Sequence, residues 1–410
     1  MRSTAGVRAA ARVGAVLGLG LLVAGPAWSQ RAPDRFAPAW APVREFFHRT
    51  LAEEGMVGGS LMFFHGDTVL AREFFGQADL ETRRPVDERT VFHWASITKT
   101  FTAVALLQLR DRGRLGLDDP ILKYLPELRV VHNPFGPMEA VTLRHLVSHS
   151  AGFRNGTWPW GGNKPWHPFE PTQWSQLVAM MPYTEILFPP GSKFSYSNPG
   201  VIFLGKTIEA LSGEDYEVYL DKNVLRPLGM TASYFDRTPY HLLPFRSNNY
   251  AVKGGKPEPQ GLDFDTGITV SNGGLNAPLP DMIRYLQFLA GAPGMPAAAR
   301  GVLSRATLEE MWRPVVPVGG PEGDAMGLGF FLMERGGGRL IGHTGSQAGF
   351  RSFFYVDPAT GAGVIAAFNA APEDDPRNPT DQGPAKPRIG LIFSGLLERL
   401  TGGVFPIFRK

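Results

Sequence analysis

Ser96-Ile97-Thr98-Lys99 places a hydroxyl and an amine three residues apart. On a helix that spacing is nearly one turn, so both side chains face the same way. A serine at a helix start sits at the positive end of the dipole, near backbone N–H groups that lack an intrahelical partner. A neighbouring lysine can accept its proton or stabilise its alkoxide. Tyr196-Ser197-Asn198 adds a phenol able to shuttle a proton and an amide able to orient a substrate. His343-Thr344-Gly345 ends a short predicted strand, where glycine admits a substrate backbone along the strand edge. Taken singly, each is a match that chance supplies in 410 residues. An N-capping serine with a surface lysine is the bland account of the first. The segment after Ser96 argues against it. Ile97, Phe101, Val104, Leu106, Leu107 and Leu109 wrap nearly all round one helix, so Lys99 points into something specific.

The elements that must hold these groups follow from pattern. The Ser96 helix runs to about Arg112 and stops at Gly113. A helix over 38–54 precedes two apolar runs, Gly58 to Phe64 and Thr68 to Phe75, which His65-Gly66-Asp67 joins as a hairpin. The middle, about 118–325, is loop-rich, with helices expected at Leu143–Ser148, Gly200–Leu211, Tyr216–Val224, Leu279–Ala290 and Ala306–Trp312. Strand signals return at Gly327–Glu334, Arg339–His343, Ser352–Asp357 and Gly363–Asn369, before a last helix over Arg388–Leu400. The fold class expected is therefore α+β. One antiparallel sheet is built from both ends of the chain and flanked by helices, with a mainly helical lobe inserted and a cleft between them. Residues 30–410 read as one domain, with a sheet lobe over about 30–95 and 325–410 and a helical lobe over about 118–325.

Composition removes several classes of function. No cysteine is present, which excludes disulfides, thiol catalysis, iron–sulfur clusters and cysteine zinc sites. Gly (49) and Pro (36) imply many turns, but 43% hydrophobic residues exclude a disordered chain. Arg2, Arg8 and Arg12 account for the whole formal charge of +3, and the neutral remainder offers no footprint for nucleic acid. Those arginines lead into an apolar run, Val13 to Ala24, and Ala27-Trp28-Ser29 fits a small-residue cleavage rule. Residues 1–29 thus read as a signal peptide, and the chain as exported, periplasmic or secreted, with no membrane attachment after cleavage. There is no G-x-S-x-G and no H-E-x-x-H. His145 and His149 have a metal-like spacing without a local acidic ligand and read as a structural pair, so neither a metal nor a cofactor is expected.

The order S-x-x-K, Y-x-N, then H-T-G resembles the serine β-lactamase and penicillin-binding-protein superfamily, across nearly all of the chain beyond the leader. His149-Ser150-Ala151-Gly152 resembles that family's H-T-S-G loop, and Gly273-Gly274-Leu275 before a helix is similar to a connecting feature there. Tyr-x-Asn in place of Ser-Asp-Asn is similar to the class C, D-aminopeptidase and D,D-carboxypeptidase branch, which includes carboxylesterases. The resemblance implies Ser96 as the acylated nucleophile, with Lys99 and Tyr196 sharing the general-base work. It implies Asn198, His343, Thr344, Gly345 and Ser346 as substrate-binding residues, with the N–H groups of Ser96 and Ser346 as the oxyanion hole. His343 stands where most β-lactamases carry lysine. It reduces the positive charge that meets a substrate carboxylate and, with an ordinary pKa near 6.5, predicts an acid limb near neutral pH.

The substrate implied is a small molecule or peptide with an ester, amide or β-lactam bond; the oligomeric state is open. A β-lactamase proper and a non-catalytic penicillin-binding-like scaffold are the alternatives. Arg351 and Asn369 are weaker candidates for a carboxylate contact. Trp158–Trp166 is an aromatic-rich candidate lid, and Pro376–Pro387 has no assigned role.

Overall fold

The computed structural model describes residues 33–156, 171–253, 256–261, 266–319, 324–372 and 388–409. The leader, the Trp158–Trp166 run and the Pro376–Pro387 stretch lie outside the described residues. Helix α1 (Phe36–Glu53) buries Phe36, Trp40, Val43, Phe47 and Leu51 along one stripe, as a 3.6-residue period requires. Strands β1 (Gly58–His65) and β2 (Thr68–Asp79) form the expected hairpin, with β3 (Arg84–Pro85) beyond it. Strand β4 (Val91–His93) then leads into α2 (Thr98–Asp111). The inserted lobe carries α3 (Leu143–Val147), α4 (Trp174–Met180), α5 (Asn198–Ser212), α6 (Tyr216–Leu220) and α7 (Arg226–Leu228). Strands β5 (Tyr234–Phe235), β6 (Asn249–Lys253) and β7 (Lys256–Gly261) follow. Next come α8 (Val270–Gly273), β8 (Leu275–Pro278), α9 (Leu279–Ala290) and α10 (Arg305–Met311). The closing strands are β9 (Val316–Pro317), β10 (Ala325–Met326), β11 (Phe331–Arg335), β12 (Gly338–Gln347), β13 (Phe350–Asp357), β14 (Ala362–Phe368) and β15 (Ala370–Pro372), before α11 (Arg388–Arg399).

Nine strands form one sheet in the order β3-β2-β1-β14-β13-β12-β11-β10-β9, with every neighbouring pair antiparallel. The first and last parts of the described chain meet at β1–β14, where Ser60 faces Ala367. This is the α+β sheet built from both ends. Alternation along β1 divides two cores: Leu61 and Phe63 join the layer under α1 and α11, while Met62 and Phe64 join the layer under the helical lobe.

Three expectations shift. The run Gly327–Glu334 is not one strand, because Gly327 to Phe330 make the turn between β10 and β11. His343-Thr344-Gly345 does not end a strand but lies inside β12, whose pairing with β13 continues to Gln347–Phe350. Thr and Gly are weak strand signals, and cross-strand pairing supplies what propensity does not. Leu275, left unassigned ahead of the Leu279 helix, begins a strand. It belongs to a small sheet, β4-β8-β5, in which His93 faces Asn276.

Candidate active site

The small sheet is what places Ser96. Trp94 N donates to Leu275 O (2.9 Å) and Trp94 Nε1 to Ala277 O (2.9 Å), which fixes the chain as it leaves β4. Ala95 then adopts φ +49°, a conformation costly for a residue with a Cβ. Ser96 lies in the 3₁₀ turn Ala95–Ile97, one turn ahead of the α-helix proper. The i, i+3 spacing still delivers Lys99, whose Nζ is 2.9 Å from Ser96 Oγ. Lys99 Nζ also donates to the carbonyl of Asn272, at 2.8 Å. Lys99 is 3% exposed, and among the described residues it forms no ion pair. Burial alone drives its pKa well below the ordinary lysine value, toward a free amine.

Tyr196 arrives from the other side. Ser197 caps α5, accepting from Gly200 N at 3.1 Å. The half-buried Tyr196 hydroxyl hydrogen-bonds the Ser96 side chain, and Lys99 Nζ is 5.0 Å from its ring centroid. Burial raises the phenol pKa, and the Ser96 hydrogen bond offsets part of that, so the phenol stays protonated at neutral pH. His149 packs its ring on that of Tyr196, 4.3 Å between centroids and 25° from parallel. It holds φ +54°, its Nδ1 accepts from Ser197 N (3.1 Å), and its carbonyl accepts from Ser195 N (2.8 Å). His145 instead turns to the start of α3, where its Nδ1 accepts from Thr142 N. The two histidines do not form a pair.

Strand β12 supplies the third wall. His343, Gly345 and Gln347 alternate onto one face, and each meets a different part of the site. The His343 ring lies 6.1 Å from that of Tyr196 and 5.2 Å from that of Phe331. Gly345 touches the segment before Ser96; a Cβ there would collide with the Trp94 carbonyl. This close approach, rather than room for a substrate, is what requires glycine. Gln347 reaches His93, with 3.2 Å between Oε1 and Nε2. Thr344 and Ser346 are exposed.

Backbone direction follows from the turn. Ala348-Gly349 is a two-residue hairpin loop with φ of +46° and +87°, so Gln347 and Phe350 exchange the closing hydrogen bonds. Ser346 and Thr344, offset by one and three residues, therefore aim their N–H groups away from β13. The pairs with β11 stop at Phe331–Gly342, so that edge of β12 is open toward Ser96 among the described residues.

His343 does not titrate near neutrality. It is 2% exposed, and its Nδ1 donates to the Thr344 carbonyl at 2.6 Å. Burial first, and Lys99 second, push its pKa down to about 3, against a smaller upward pull from Thr344. The acid limb expected from an ordinary histidine therefore does not come from His343. Its Nε2 is buried without a partner.

Ser96, Lys99, Tyr196 and His343 thus converge. Asn198 stands beside them at the start of α5, its Nδ2 donating to Asn155 Oδ1 (3.3 Å) and its carbonyl accepting from Asn272 Nδ2 (3.3 Å). Asn369 does not reach the site. It is fully buried, donating to Gln77 O (2.9 Å) and Ser247 Oγ (3.0 Å). Arg351 lies opposite Ser346, with Nη1 donating to Phe350 O. Sequence reasoning assigned no role to His149, Asn272, His93 or Gln347. Only the H-S-A-G motif pointed toward the first, and no spacing links the others to Ser96. A cavity of about 650 Å³ opens in the helical lobe, lined by Trp174, Gly205, Tyr216, Phe235 and Ser271 among others. None of the residues named above as site groups lines it.

The Beta-lactamase family model matches residues 43–384. Penicillin-binding protein 4* of Bacillus subtilis (strain 168) is 26% identical over 322 residues, 75% of this chain and 67% of that protein. The chain spans 61% to 67% of the length of the curated relatives it matches. Among solved structures, the octameric penicillin-binding protein homologue from Pyrococcus abyssi is 30% identical, with a TM-score of 0.68, over 80% of this chain and 73% of its own. A class C β-lactamase superposes with a TM-score of 0.70 at 19% identity, covering 90% and 98%.

Proposed function

The chain belongs to the β-lactamase family, whose members are serine hydrolases, and on that premise we propose that it is an exported hydrolase that forms an acyl-enzyme on Ser96. The observation that carries this reading is the burial of Lys99, with its Nζ 2.9 Å from Ser96 Oγ and no carboxylate paired with it among the described residues. Ser96 Oγ attacks the substrate carbonyl carbon while its proton passes to the free amine of Lys99. The carbonyl π electrons move onto oxygen, and the N–H groups of Ser96 and Ser346 receive the oxyanion. Collapse expels an alcohol or amine that takes the Tyr196 phenol proton, while Lys99 passes the proton it accepted from Ser96 back to Tyr196, so that both groups return to their starting forms. Water then cleaves the acyl-enzyme by the same proton path. Asn198 orients the substrate, with Thr344 and Gly345 lining the strand edge.

The neutral, buried His343, flanked by Phe331, favours an ester or amide without a carboxylate beside the scissile bond over a β-lactam. Export rests on the arginine-led apolar run before Ser29. The test is the purified protein against short-chain p-nitrophenyl esters, D-alanyl peptides and nitrocefin, with a fluorophosphonate probe. Turnover of the neutral esters above both the D-alanyl peptides and nitrocefin, with the probe on Ser96, is expected. A chain that neither turns over nor labels is a scaffold, and the reading fails.

A further inference from the structure

Two loosely related segments must stay in register for the acyl-enzyme reading above, on which this inference rests. Ser96 N–H comes from the turn after β4, and Ser346 N–H from the open edge of β12. Near Gly345 the segments touch directly, and Ser352 Oγ donates to Trp94 O at 3.3 Å. Past Gly345, β12 has no further partner from β11 among the described residues, and the contacts on the Ser96 side are the His93–Gln347 hydrogen bond and the packing of the His93 ring on Phe350, 5.8 Å between centroids. We propose that His93 and Gln347 are a positioning pair, a bridge that ties the strand delivering Ser96 to the end of the strand carrying Ser346 and so sets the distance between the two N–H groups.

The surroundings are shaped for this bridge. His93 stands three residues before Ser96 and is 1% exposed. Its Nδ1 meets Asn276 Oδ1 at 3.1 Å, and Asn276 Nδ2 donates to Gly274 O at 3.1 Å. Burial, and then Arg246, hold the imidazole neutral, with a pKa of about 3. With Asn276 Nδ2 engaged on Gly274 O, the neutral imidazole donates Nδ1–H to Asn276 Oδ1, and its bare Nε2 is answered by the Gln347 amide turned to present its NH2 group to the ring. Gln347 lies directly over Gly273, where a Cβ would come within 2.5 Å of its Oε1 and push the amide aside. Gly273 follows Asn272, whose carbonyl holds Lys99. The amide is thus wedged between the lysine's support and the strand before the nucleophile, without bonding Ser96 Oγ, Lys99 Nζ or Tyr196. Its loss should move the oxyanion donors and leave the proton path alone. Oxyanion stabilisation is steep in geometry, and displacements near 1 Å cost about 10²-fold.

The experiment measures kcat, KM, the pH profile and the rate of fluorophosphonate labelling for wild type, Gln347→Met, His93→Phe and the double variant, on one p-nitrophenyl ester. Methionine fills the volume of glutamine without its amide. Each single variant should lose roughly 10- to 100-fold in kcat and in labelling rate, with KM within about twofold and the profile's midpoints unmoved. The double variant should be no worse than the poorer single. Gln347 is half-exposed, so Gln347→Met decides the matter even if His93→Phe does not fold. Folded Gln347→Met with wild-type kcat and labelling overturns the proposal, as do losses that multiply in the double variant or midpoints that shift. A wild-type protein that fails to label at all overturns the acyl-enzyme reading and this inference with it.

Discussion

On the outer face of the nine-stranded sheet, Phe63 of β1 is ringed by Phe36, Trp40, Phe405 and Phe408, with centroids 5.5 to 5.9 Å away. On the inner face, the layer that holds Met62 and Phe64 also encloses Lys99, His93 and Thr102, all at most 3% exposed. Thr102 Oγ1 donates to Ser271 O and meets Tyr216 Oη at 2.7 Å. The outer layer buries apolar area and nothing else is asked of it. The inner layer buries an amine with no counter-charge and imidazoles held in their neutral form, each of which costs stability in exchange for reactivity. Both faces of the sheet therefore bury apolar side chains, and the proposed chemistry is confined to the inner one.

The sharpest way to break that division is Ser96→Ala. It should reduce turnover by at least about 10³-fold, because the acyl pathway vanishes, while the melting temperature stays near that of wild type. Residual activity above a few per cent would place the nucleophile elsewhere. Phe63→Ala tests the opposite layer. The cavity it leaves should cost about 3–5 kcal/mol in urea unfolding, with kcat per folded molecule unchanged. A fall in kcat would mean that the outer layer also positions the site.

Acid sharpens the comparison further. The folded His343 pKa, about 3, lies below its ordinary value of 6.5, so the unfolded chain binds a proton that the folded chain refuses between those limits. Stability from this residue is complete above pH 6.5 and is lost as pH falls toward 3. Between pH 7 and pH 5, His343→Phe should lose less stability than wild type, by up to about 2 kcal/mol. Equal slopes would show that His343 is not a buried neutral group. The smallest effect expected is a gain. Lys99→Met removes a buried amine that has no ion-pair partner among the described residues and should raise stability by about 0.5–2 kcal/mol, although it costs about 10²-fold or more in acylation. A destabilised Lys99→Met would mean that the amine contributes to cohesion, and the division between the two faces would fail.

Much of the architecture was legible because local signals agreed with the final packing. The β1–β2 hairpin, the stripe on α1 and the span of α9 need only period and turn chemistry, and α9 occupies Leu279–Ala290 as expected. Strand β12 was read too short and β8 was not assigned, since Thr344, Gly345 and the residues of β8 acquire strand structure only from partners far along the chain. The site divided in the same way. Motif order brought Ser96, Lys99, Tyr196 and His343 to attention, but His149, Asn272 and the His93–Gln347 bridge act across 48 to 254 residues of sequence.

Residue identity and spacing, by themselves, determined that Lys99 would stand one turn from Ser96, that no thiol chemistry is possible, and that strands from both ends would share a sheet. Those are matters of composition and of periods only a few residues long. Tertiary structure decided the protonation states. Lysine, tyrosine and histidine have ordinary pKa values until burial removes the water that stabilises their charged forms. Packing alone makes Lys99 a candidate base, Tyr196 an acid and His343 a neutral wall. It also decided why residue 345 must be glycine, because the carbonyl that excludes a side chain there belongs to Trp94, which only the folded chain brings within reach.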